Sequence, residues 1–73
     1  MGRQLIFNSG FDIGEIVYSR LDPELRFIVV SFIIHTINLE SYEVERYSVG
    51  CSNPQGIINY FLPFELEHSN VEI

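Results

Sequence analysis

A chain of 73 residues with 47% hydrophobic residues and a formal net charge of -6 is too apolar for an intrinsically disordered segment and too short for more than one globular domain. Its four basic residues, Arg3, Arg20, Arg26 and Arg46, are scattered against ten acidic ones and leave little to neutralise phosphates, so nucleic acid is not expected as a ligand. The acidic surplus serves solubility or meets a basic partner.

Residues 1–10, "MGRQLIFNSG", lack the long apolar core of a signal peptide, and Ile6 stands where a myristoylation signal wants Ser or Thr. The longest apolar run, Phe27 to Ile34, falls far short of the roughly 20 residues that span a bilayer, so no membrane span is expected. Cys51 is the only cysteine, which excludes the intrachain disulfides that staple small secreted domains. A reducing, cytoplasmic setting is the expectation.

Turn-forming residues fall at Gly10, Gly14, Asp22-Pro23, Gly50, Asn53-Pro54, Gly56 and Pro63. Between them lie segments rich in Val, Ile, Tyr and Phe, which predict strands over 15–20, 26–38, 42–49, 57–62 and 64–67. The chain has neither Ala nor Lys, so at most one helical turn is expected. "LDPEL" at 21–25 reads as a turn, with Asp22 capping and Pro23 fixing the next dihedral.

Alternation supports half-buried strands. Tyr42 and Val44 oppose Glu43 and Glu45, and Ile58, Tyr60, Leu62, Phe64 and Leu66 share a register against Asn59, Glu65 and Glu67. The segment "RFIVVSFIIH" differs. Ile28, Val30, Phe32 and Ile34 form one apolar row, and Phe27, Val29 and Ile33 nearly complete a second, so this strand must be covered on both faces.

The run "FDIGEIVYSRLDPELRFIVVSFI", followed by a Tyr-rich strand and a terminal "PFELE", resembles small SH3-like β-barrels of bacteria, phages and other mobile elements. The matching positions are Phe11, Ile13, Gly14, Glu15, Val17, Asp22, the strands from Phe27 and Tyr42, and Glu65-Leu66-Glu67. The resemblance implies an all-β, five-stranded SH3-like barrel with short turns over 11–67, preceded by an arm or extra strand over 1–10 and followed by a tail over 68–73. Its long second strand would bend, so that the inward face changes along its length. The chain departs from the pattern at Ser31-Phe32-Ile33-Ile34, where a Gly or a polar residue is usual.

The surplus apolar row, Phe27, Val29 and Ile33 or their opposites, would then lie outside the barrel, where a contiguous patch marks an association site. Two covers remain open for it: a second copy of the chain, or the N-terminal "QLIF" at 4–7. The resemblance also implies that Tyr18 and Tyr47 could line a groove for peptides or a cage for methylated cations. Tyrosines that bury their rings and keep a wet hydroxyl are the simpler account.

No residue set points to catalysis. Cys51 sits in the turn-like "GCSNPQG" without His or Lys beside it, and His35 and His68 lack the short spacing of a metal pair. Asp12, Glu15, Asp22 and Glu24 are too sparse for a calcium loop. No cofactor and no metal is expected. Two function classes remain: a non-enzymatic protein-interaction module that self-associates or binds an unidentified protein, or a small acidic effector that blocks a nucleic-acid-binding or defence enzyme by presenting carboxylates in place of phosphates.

Overall fold

The computed structural model describes residues 4–69; the ends of the expected arm and tail, residues 1–3 and 70–73, lie outside the described residues. Strands β1 (Ile16–Ser19), β2 (Arg26–Ile37), β3 (Val44–Ser52), β4 (Ile58–Phe61) and β5 (Leu66–His68) form one antiparallel sheet in the order β4-β3-β2-β1-β5. Among the described residues the only helical element is a single 3-10 turn, Pro63–Glu65, between β4 and β5. The described residues are therefore all-β, with five strands. Its two edge strands, β4 and β5, are not paired with each other, so the sheet does not close on itself.

Short polar side chains make the turns. Asp22 accepts from the Glu24 N–H at 3.2 Å and, through its carbonyl, from the Leu25 N–H at 3.0 Å, as "LDPEL" implies. Asn38 Oδ1 takes the N–H groups of Glu40 and Ser41 between β2 and β3. Asn53 Oδ1 takes those of Gln55 and Ile57 between β3 and β4, where Gly56 adopts φ 84°. Cys51 belongs to β3 and not to this turn.

The double apolar row of β2 has a geometric cause. Val29 pairs with Cys51 and Ser31 with Gly50, so Val30 is an extra residue with no partner, and a second shift follows between Ile34 and Thr36. One extra residue moves the inward side of the strand from odd to even positions. Phe27 and Val29 point inward before the shift and Phe32 after it, opposite the inward Cys51 and Val49.

The core comprises Phe11, Val17, Phe27, Val29, Val49, Cys51 and Leu66, with Phe32, Tyr47 and Phe61 packed around it. Each fully buried side chain contributes about 1.5–3 kcal/mol. The rings of Phe27 and Phe61 meet at 5.1 Å although β3 runs between their strands, which shows how strongly the sheet coils around this cluster.

The segment before β1 covers the distal half of the same inner face. Ile6 bridges Glu43 in parallel fashion, its N–H donating to Tyr42 O at 2.8 Å while the Val44 N–H donates to Ile6 O at 2.9 Å. Phe7 then stands edge-on to Phe32 and Tyr47, at 5.1 and 5.0 Å, and Tyr47 Oη donates to Ser9 O at 2.6 Å. "QLIF" is thus a cover, but of the inner face. The outer face keeps none from it.

Candidate functional site: the outer sheet face

Because pleated side chains alternate, the inward set defines the outward one. Ile16 pairs with Ile28, Ile28 with Ser52, and Ser52 with Ile58, so one outward row crosses four strands, roughly 14 Å at a strand spacing of about 4.8 Å. The next row is Ser31, Gly50 and Tyr60 with the unpaired Val30 beside it, and the third holds Ile33 and Ser48. Ile16, Ile28, Val30, Ile33, Ile58 and Tyr60 keep 37–54% of their surface exposed.

In these three rows the floor is β3, which turns Ser48, Gly50 and Ser52 outward, between an apolar ridge from β2 and another from β4. At one end the row runs into a cleft of about 240 Å³ between Ile16, Ile28, Ser52 and Pro54, with Arg26 on its wall. Beside these three rows charge gathers at one corner. Arg26 lies 5.6 Å from the ring centre of Tyr18, and Arg20 pairs with Glu67 at 3.2 Å. Glu67, opposite Tyr18, is the one carboxylate on the outward positions paired across β1 and β5, and β2, β3 and β4 turn none outward in the three apolar rows.

The residues expected on a binding surface separate. Phe27 and Val29 are 6% and 0% exposed and belong to the core, because the strand enters the sheet with odd positions inward; their opposites, Ile28 and Val30, lie outside. Ile33 lies outside too, on the far side of the register shift. Tyr18 faces outward against Arg26, whereas Tyr47 faces inward against Phe7, so the two cannot line one cage. Burial pushes the Tyr47 phenol up.

The row Ile58 and Tyr60 was expected to face the core with Leu66, and this too is corrected. Phe61 packs inward, Ile58 and Tyr60 outward, and the 3-10 turn resets the register so that Leu66 is buried in β5. The outward apolar character of β4 carries no sequence signal of its own, since an alternating strand does not state which face is wet.

The remaining candidates are satisfied within the fold. Cys51 is wholly buried, and burial pushes its thiol up to about 11. His68 stacks on Phe11 at 4.6 Å and bonds Glu15, joining β5 to the segment before β1. His35 Nε2 shares a hydrogen bond of 2.7 Å with Ser48 Oγ, a nucleophile-and-base contact that sequence reading did not foresee, because bulged strands rather than spacing bring the two together. No acidic side chain orients the imidazole among the described residues. Nor does any group of three or more His, Cys, Asp or Glu among them have the geometry to hold a metal ion. No helix among them is long and apolar enough to cross a membrane. No protein-family model, no curated protein and no solved structure matches the chain.

Proposed function

We propose that this protein is a non-enzymatic interaction module, an SH3-like barrel that binds protein through the outer face of its sheet. The observation that carries the reading is the contiguous row Ile16, Ile28 and Ile58 with Val30, Ile33 and Tyr60 beside it, all exposed on a face that no other described segment covers. The SH3-like part rests on five strands, a long second strand whose inward side switches, and a last strand that follows a single 3-10 turn. The acidic-effector reading finds less support, since the apolar face has no carboxylate array to imitate phosphates.

The test is a photo-crosslinking residue placed at Ile58, with Leu39, exposed in the β2–β3 turn, as the control position. In the source cell, discrete protein adducts from position 58 and none from position 39 are expected. Equal or absent labelling at the two positions would refute the reading.

A further inference from the structure

The outer face has a definite occupant, and we infer that it is a second copy of this chain, stacked face to face about a two-fold axis; this rests on the interaction-module reading above. Three observations lead there, and the first is the size of the core. Among the described residues seven hydrophobic side chains are buried while seventeen large ones are exposed, a poor ratio for a 73-residue domain that must offset its chain entropy unaided. Covering the outer face moves the largest connected group of those exposed side chains out of water. A partner present at the chain's own concentration does this for every molecule.

The second observation is area. Half-exposed Ile16, Ile28, Val30, Ile33, Ile58 and Tyr60 offer on the order of 500 Å² of apolar surface. With Ser31, Ser52 and the rim, each copy brings roughly 600–800 Å², which in a pair reaches the ~1,200–2,000 Å² of stable interfaces. The shape is self-complementary as well. On β3 only Ser52 is left partly open, since Gly50 lies beneath the Tyr60 ring and Ser48 is buried against His35, so a two-fold axis along the strands, between β3 and β4, sets the Ile58 end of each ridge over the other copy's Ser52.

The third observation is charge. Copies of a protein carrying -6 repel one another wherever carboxylates meet. Here the three apolar rows contain none, and Glu67 at the corner is already paired with Arg20. A partner selected for basic charge would find nothing on this face to pair with. Three apolar rows without a carboxylate, with Arg26 and the Arg20–Glu67 pair at one corner, put no like-charged carboxylates of two copies in contact, which fits self-association.

Sedimentation equilibrium of the wild-type chain at micromolar concentration should give twice the 8.5 kDa chain mass. Ile28→Glu and, separately, Ile58→Glu should each raise the dissociation constant at least ~100-fold while circular dichroism retains the β signal. Should either variant fail to fold, Ile58→Cys decides: on β4, next to the two-fold axis that runs between β3 and β4, it should oxidise to a disulfide-linked dimer, whereas Leu39→Cys should not. Buried Cys51 leaves the readout clean. A wild-type chain that stays monomeric at 100-fold higher concentration, or a dimer that survives both glutamates, overturns the proposal. Adducts at position 58 that contain only other proteins overturn it too, while leaving the interaction-module reading standing.

Discussion

The ring of Tyr60 lies over Gly50, so that a Cβ built on Gly50 would stand 3.0 Å from Tyr60 Cε1 and collide with Ser31 Oγ on the opposite strand. Gly50 is where β3 passes beneath an aromatic side chain on one neighbour and a hydroxyl on the other. Gly50→Ala should therefore destabilise the fold by about 1–3 kcal/mol, toward the lower end because both opposing atoms are the ends of side chains that can turn aside. Ser31→Ala removes the worse collision, so the double variant should recover about 1 kcal/mol relative to the sum of the singles. Urea unfolding at one fixed protein concentration measures this, the concentration being held because association adds to apparent stability. Additive effects would show that Ser31 is not the obstacle.

Phe7 fastens the N-terminal segment to the hairpin through edge contacts with Phe32 and Tyr47. Aromatic pairs of this kind contribute about 0.5–1.5 kcal/mol each beyond burial, so Phe7→Ala should cost about 2 kcal/mol or more. Tyr47→Phe loses the hydrogen bond to Ser9 O and should cost about 0.5–1.5 kcal/mol. Hydrogen exchange gives the local readout: the amides of Ile6 and Val44, which bridge the segment to β3, should lose protection in Phe7→Ala while that of Val29 in the core keeps it. Uniform loss across all three would mean that the segment is not a separable unit.

The number, order along the chain and approximate limits of the strands were legible because Gly, Pro, Asn and Asp punctuate the sequence where side chains later bond the turn backbone. The double row of β2 was legible as a problem. Its solution was not, because the unpaired Val30 is set by the register against Gly50, a partner twenty residues away that no local pattern names. The same long-range pairing turned Phe27 and Val29 inward and Ile58 and Tyr60 outward. Alternation reveals that a strand has two faces. Which of them meets the core depends on what covers it, and Phe7 and Phe11 arrive from the other end of the chain.

The Ser48 and His35 pair should be inert. With no acidic group among the described residues to fix the imidazole and with Ser48 nearly buried, activated esters such as p-nitrophenyl acetate should be hydrolysed at the rate of free imidazole, and Ser48→Ala should leave that rate unchanged. The variant should cost about 1 kcal/mol of stability by leaving His35 Nε2 without its partner. A burst of product equal to the protein concentration, absent in Ser48→Ala, would instead identify an acyl-enzyme and a nucleophile.

Cys51 makes the stability of the fold depend on alkaline pH. Burial holds its thiol protonated up to about 11 in the folded chain, against an ordinary value of 9.0 once unfolded. A group whose folded value is raised contributes stability that is fully present below its unfolded value and disappears as pH rises through the folded one. The denaturation midpoint should thus begin to fall near pH 9 and continue toward 11. The Tyr47 phenol, pushed up from 10.0 by its own burial, should add to the decline above pH 10. Cys51→Ala should be less stable at neutral pH, because it empties part of the core, yet flatter between pH 9 and 10; Tyr47→Phe should be flatter only above that. The same protonated thiol should resist a disulfide reagent at pH 8 in the folded protein and react at once in denaturant, since the thiolate is the nucleophile. Rapid stoichiometric labelling of the folded chain at pH 8 would show that Cys51 is neither sealed nor shifted.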